Sequence, residues 1–262
     1  MNPWVNAGYH CTIFIFAIYL VGFLIALINR LFYHIAGATP GVIYGTGFIG
    51  TPIHELSHAL FCIIFMHKIH EIKLFQIDDS GVLGYVSHSW NRKNLYATIG
   101  NFFIGVAPIL VGTSFLILLM FWITPSTFNA INGTFTVLTQ DLAYEQTPSV
   151  IGQSIGAFFK GASDFRWWIY IFIVMFIAIH MNLSRADLKG SLVGMPFFLL
   201  LIILVNIIIG YLIKPAYAGF LNFMAHAGVY LCVILFMSLV FSVISLILAF
   251  IIRFFKKIFH LR

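Results

Sequence analysis

The chain has 262 residues, 61% of them hydrophobic and only 8% charged, with 14 Lys and Arg against 8 Asp and Glu for a formal net charge of +6. Ordinary soluble domains carry charge on roughly a quarter of their residues, so this composition, with a mean hydropathy of +1.01, excludes a water-soluble globule. The basic residues are scattered at the ends of apolar runs with no interleaved aromatics, which leaves nucleic-acid binding without support.

Composition therefore predicts an all-α polytopic membrane protein embedded in the lipid bilayer, a single integral domain over 1–262. Hydropathy draws about six transmembrane helices, at about 11–33, 42–66, 95–123, 167–183, 191–213 and 226–252. The first reads as a retained helix, because Met1–Tyr9 carries no Lys or Arg and the apolar run is too long for a signal peptide. With both termini cytoplasmic, ten basic residues lie inside: Lys68, Lys73, Arg92, Lys93, Arg185, Lys189, Arg253, Lys256, Lys257 and Arg262. Four lie outside, Arg30, Lys160, Arg166 and Lys214, the bias expected when basic residues resist translocation. Cys11, Cys62 and Cys232 fall in apolar spans, far apart, and read as packing residues rather than a disulfide framework.

The second span contains His54-Glu55-Leu56-Ser57-His58, an HExxH motif. One helical turn separates the two histidines, so both imidazoles project from one face, as a metal site requires. Glu55 is rotated about 100° from His54 around the helix, where it reaches a water on the metal rather than the metal itself. A charged residue at mid-membrane costs ~2.5–3.5 kcal/mol on the insertion scale, so a carboxylate there argues for chemistry. Gly41, Gly45, Gly47, Gly50 and Pro52 crowd the approach to the motif, which suits close helix packing or a bend that admits water.

After this span, the β-prone runs Glu71–Ile77 and Val82–His88 flank Asp78-Asp79-Ser80-Gly81. They predict a β-hairpin over about 71–88 at the membrane surface, directly after the HExxH helix, whose edge could pair with an extended peptide. In the third span Asn101 is either helix-bonding glue or a group that orients substrate backbone. An outer polar loop over about 125–166 follows, in which Ile151, Ile155, Phe158 and Phe159 at helical spacing predict a short amphipathic helix. Arg253–Arg262 is a basic tail for the inner leaflet.

A hydrolytic zinc site takes three protein ligands and leaves a position for water. Of the 8 carboxylates, Glu71, Asp78, Asp79, Asp141, Glu145 and Asp164 fall in loops, leaving Glu55 and Asp187 in or near membrane helices. Asp187, just past the drawn end of the fourth span, would complete with His54 and His58 a donor set well matched to Zn2+. A helix cap, or an ion pair with Arg185 or Lys189, is its other use. His180, two turns upstream, is the rival third ligand or a group that orients one.

These residues resemble the site-2 protease family of intramembrane zinc metalloproteases, which carries HExxH on one membrane helix and a third ligand from an Asp-Gly motif on a later one. His54, Glu55 and His58 match the first motif without a gap, and Asp187 is carried over as the third ligand. The family's later motif reads Asn-x-x-Pro-x-x-Asp-Gly. This chain has Asn182, no proline at the matching place, and Lys189-Gly190 two and three residues after Asp187. The resemblance runs from about Val42 to Gly190, with no PDZ domain, and so implies a minimal core in a bacterial cell membrane. It implies a zinc-dependent endopeptidase acting on a membrane-anchored peptide or protein substrate, with Glu55 as general base. Two other classes compete. A non-catalytic metal-binding partner or assembly subunit would need no Glu55, and a transporter would need ionisable residues along facing helices where this chain has one cluster.

Overall fold

The computed structural model describes residues 3–77, 81–141 and 147–259. In chain order these form α1 (Pro3–Ala36), α2 (Pro40–Ile64), β1 (Lys68–Lys73), β2 (Tyr85–Ser89), α3 (Leu95–Ile123), α4 (Pro125–Asp141), α5 (Thr147–Lys160), α6 (Phe165–Ala178), α7 (Arg185–Leu212) and α8 (Lys214–Ile258). Among the described residues, five helices are long and apolar enough to cross a membrane: α1 over Ile15–Ala36, α2, α3, α7 and α8. The chain thus has the helices of an integral multi-pass membrane protein.

The expected span at 167–183 needs correction. Its helix, α6, has only 14 residues, because Asp164 is extended at φ −100° and ψ 130° and a non-helical segment follows Ala178. Gly152–Ser163 and Phe165–Ala178 meet at a 116° bend, and a sixth span exists only if this bent pair is counted as one. The segment 125–166 is largely helical rather than a loop, comprising α4, α5 and a 3-10 turn at Gly161–Ser163. The last helix begins at Lys214 instead of about 226, with Pro215 in its first turn, where a missing N–H costs nothing. The turn cluster at 78–80, Glu145 and Arg262 lie outside the described residues.

Contacts divide the chain into two compact units, Met1–Thr113 with Phe176–Arg262, and Ser114–Met175. In the second, α4 lies against α5, Phe158 meets Trp167 edge-on at 5.4 Å, and the Tyr170 hydroxyl donates to the Leu116 carbonyl at 3.1 Å.

The first unit holds the HExxH helix. Here α1 packs along α7 and α8 around a core that includes Ile18, Val21, Ile25, Phe102, Val106, Ile109, Leu183, Leu231 and Leu235. Glycine sets the seam between α3 and α7. A Cβ on Gly105 would overlap the Asp187 carbonyl and Ser191, and one on Gly194 would overlap the Phe102 amide and the Thr98 carbonyl. Only bare backbone lets the start of α7 lie this close to α3.

α2 starts cleanly because Thr39 is extended and Pro40 occupies the first turn. It ends in a reversal: the Met66 amide bonds the Ile63 carbonyl at 3.2 Å and the His67 amide bonds the Cys62 carbonyl at 2.8 Å. These two bonds form a Schellman motif, whose left-handed position is normally glycine. Here it is Met66, at φ 58°. The turn sends the chain directly into β1, which pairs antiparallel with β2 through Lys68↔Ser89, Ile69↔His88, Glu71↔Ser87, Ile72↔Val86 and Lys73↔Tyr85, with a bulge between Ile69 and Glu71. The hairpin therefore begins earlier than 71 and is wound tightly onto the end of α2.

A left-handed non-glycine residue is strained by about 1 kcal/mol or more, and the Met66 side chain is exposed. Met66→Gly is expected to stabilise the protein by up to about 1 kcal/mol after the entropic cost of glycine, read as a raised thermal midpoint in detergent.

Candidate metal centre

His54 and His58 stand on one face of α2 with ring centroids 4.8 Å apart. Each ring is held by its Nδ1. That of His54 lies 2.6 Å from the His180 carbonyl oxygen, and that of His58 lies 2.8 Å from the Ile104 carbonyl oxygen. A carbonyl only accepts, so each Nδ1 carries the proton and donates. In the neutral rings both Nε2 atoms are then bare lone pairs.

The two acceptor carbonyls have physical origins. Ile104 lies inside α3, where its carbonyl would ordinarily accept from the amide four residues on, but that residue is Pro108, which has no N–H. The carbonyl is freed for His58. His180 lies in the segment between α6 and α7, outside both helices. That segment is anchored by buried Asn29, whose amide donates to the Ile179 carbonyl at 2.7 Å.

Asp187 completes the cluster. Its Oδ1 is 3.2 Å from His58 Nε2 and its Oδ2 is 3.7 Å from His54 Nε2. It is held there by a capping box at the start of α7. The Asp187 amide donates to Ser184 Oγ at 3.1 Å, and Asp187 Oδ2 accepts from the Ser184 amide at 2.7 Å. The helix-cap use and the cluster are thus compatible, because the carboxylate serves both. Asp187 lies past the end of α6, as expected, and sits in the first turn of α7, which starts at Arg185 and not at about 191.

One donor atom from each of His54, His58 and Asp187 lies within 4.8 Å of the others, and the two Nε2 atoms are 3.1 Å apart. Two bare nitrogens and a carboxylate repel each other unless a cation sits among them. A tetrahedral ion with metal–nitrogen bonds of ~2.0–2.1 Å separates its donors by ~3.3–3.4 Å, close to the 3.1 Å and 3.2 Å observed. These residues fit a metal ion.

Glu55 is 6% exposed and lines the same cavity, of about 420 Å³, as His54, His58, Asn101 and Asp187. The hairpin contributes Val82, Gly84, Tyr85, Val86 and His88 to this wall. Asn101 donates to the Thr98 and Ala97 carbonyls of its own helix at 3.2 and 3.4 Å, so it braces α3 while facing the cavity. The His180 ring turns to Thr46, with Nε2 3.2 Å from Oγ1, and its part in the cluster is played by its carbonyl. Sequence reasoning missed the two carbonyls and Ser184. The pattern Ser184-x-x-Asp187 before an apolar run is a legible capping box, and Pro108 four residues after Ile104 is a legible sign of a freed carbonyl. Compared with known proteins, the chain matches no family model, no curated protein and no solved structure.

Pro108→Ala restores an amide that competes for the Ile104 carbonyl, and is expected to weaken metal binding by about 10-fold without loss of helix content. Ser184→Ala is expected to cost about 1 kcal/mol of stability and also to weaken the metal, whereas Asp187→Ala abolishes tight binding. Metal titration of the purified chain, paired with thermal unfolding, checks all three.

Proposed function

We propose that the chain is an intramembrane zinc metalloprotease that hydrolyses a peptide bond of a membrane-anchored peptide or protein. The observation that carries this reading is a buried carboxylate, Glu55, in the wall of the cavity onto which the His54, His58 and Asp187 donors converge. A site that only held an ion would have no use for it.

His54, His58 and Asp187 would hold zinc, for which two imidazoles and a carboxylate are a suitable set. Zinc so held supplies Lewis acidity, polarising a carbonyl and making a water acidic near neutral pH. Glu55 accepts the water's proton at a carboxylate oxygen and delivers it to the leaving nitrogen. The carbonyls of Ile104 and His180 keep the two imidazoles in one tautomer and orientation throughout.

Substrate access favours the hairpin side. A Cβ on Gly84 would come within 2.9 Å of Glu55 Cγ, so the bare backbone there lies directly over the base. The Val82–Val86 stretch offers an extended peptide a line of backbone beside Glu55, and Asn101 lines the same cavity. An intact substrate helix hides its carbonyls in its own hydrogen bonds and has to unwind before it can lie there. With the bent pair of α5 and α6 counted as a sixth span, both termini fall on one side of the membrane, and the ten-to-four distribution of basic residues favours the cytoplasmic side.

Glu55→Gln is expected to retain its metal and to lose cleavage by about 10²–10⁴-fold, while the His54→Ala, His58→Ala double variant loses both. The readout is the membrane proteome of cells carrying wild type or Glu55→Gln, scored for fragments that appear only with wild type. A Glu55→Gln protein that generates the same fragments at the same rate would sink the mechanism.

A further inference from the structure

A second group of donors lies just beyond the first. Cys62 follows His58 by one helical turn on the same face of α2, in the last turn before the helix ends. The Schellman turn folds the next residues back, bonding the His67 amide to the Cys62 carbonyl at 2.8 Å. The strand register, carried one residue outward from Lys68↔Ser89, sets His67 opposite Trp90 and diagonal to His88. His67 indeed stacks on Trp90, centroids 5.6 Å apart and planes 17° from parallel. As a result, one donor atom from each of Cys62, His67 and His88 lies within 4.8 Å of the other two.

His67 is prepared as His54 and His58 are. Its Nε2 lies 2.8 Å from the Ala97 carbonyl oxygen, so that nitrogen carries the proton and Nδ1 is the bare one. His67 Nδ1 lies 3.0 Å from His88 Nδ1. Burial lowers the pKa of both rings from the usual histidine value, and at His88 the neighbouring His67 and His70 lower it further. Cys62 is 0% exposed and is a free thiol. A hydrogen bond between the two rings would account for their distance; the Cys62 donor within 4.8 Å of both supplies the third ligand atom.

We propose that Cys62, His67 and His88 form a second metal site, binding one Zn2+ through a thiolate and two imidazoles and stapling the hairpin to the end of α2. This is separate from the catalytic reading, since it uses none of His54, Glu55, His58 or Asp187. Thiolate and imidazole together select a borderline-soft ion such as zinc over magnesium or calcium. Binding displaces the Cys62 thiol proton to solvent, and no change of oxidation state is involved. His88 also lines the cavity of the first cluster, so the staple would hold one wall of that cavity in place.

The full chain, purified in detergent and loaded with Zn2+, is expected to carry two equivalents. One is lost in the His54→Ala, His58→Ala variant and the other in Cys62→Ser, with His88→Gln as a second variant should Cys62→Ser fail to fold. Loaded with Co2+, the wild type and the His54→Ala, His58→Ala variant should show a thiolate-to-cobalt charge-transfer band that Cys62→Ser lacks. In the wild type, Zn2+ should slow alkylation of Cys62 by a maleimide at least 10-fold, read by peptide mapping, which needs no variant. Absence of the thiolate band, with Cys62 alkylated equally fast with and without Zn2+, overturns the proposal. A wild type that binds only one equivalent, all of it retained by Cys62→Ser, overturns it too while leaving the first site intact. A wild type that binds only one equivalent, retained by the His54→Ala, His58→Ala variant and lost in Cys62→Ser, counts against the first site and supports the second.

Discussion

Everything around the HExxH helix depends on where two imidazole protons go. His54 and His58 each spend their one N–H on a backbone carbonyl, of His180 and Ile104 respectively, and this turns both Nε2 lone pairs inward. In an apolar interior an unsatisfied carbonyl is expensive, so the protein has to create acceptors where helices ordinarily leave none. It does so twice by different means: a proline in α3 withdraws the donor that Ile104 would have had, and a break between α6 and α7 leaves His180 outside any helix. Asp187 is brought to the same point by the start of α7, and the close approach of α7 to α3 is made possible by Gly105 and Gly194.

The parts of this arrangement that were legible in the sequence are those governed by local periodicity and composition. Long apolar runs mark α1, α2, α3, α7 and α8. The spacing of His54 and His58 marks a shared helix face, and the scarcity of carboxylates singles out Asp187. Alternation around a turn cluster marks the hairpin, though the turn at Met66 makes it start sooner. Hydropathy alone misled where apolarity and helix continuity part company. The run from Trp167 onward is as apolar as any span, yet its helix is cut short at both ends. The segment 125–166 looks like a loop because it is polar, whereas its threonines, serines and glycines are carried on helices. Hydropathy alone starts α8 late because Lys214, Pro215, Gly219 and Asn222 dilute its first turns.

The orientation of the site was legible only in part, because backbone carbonyls have no letter in a sequence. Ile104 is anonymous until Pro108 is seen to lie one turn beyond it. Cys62 looked like a packing residue, and by its burial it is one. Its relation to His67 and His88 arises from a left-handed turn at a methionine, which no propensity rule would place there. The general lesson is that the ligands of a buried centre can be read from spacing, while the groups that aim them must be sought where a helix has lost a hydrogen bond.

The double duty of the Asp187 carboxylate ties two equilibria together. Oδ2 secures the first turn of α7 through Ser184, and both oxygens face the histidines. By thermodynamic reciprocity, whatever free energy an ion at the cluster gains from this preset carboxylate is returned as resistance of the α7 terminus to fraying. With an ion held at the cluster, the start of α7 would be an occupancy gauge, firmer with the centre filled than with it empty.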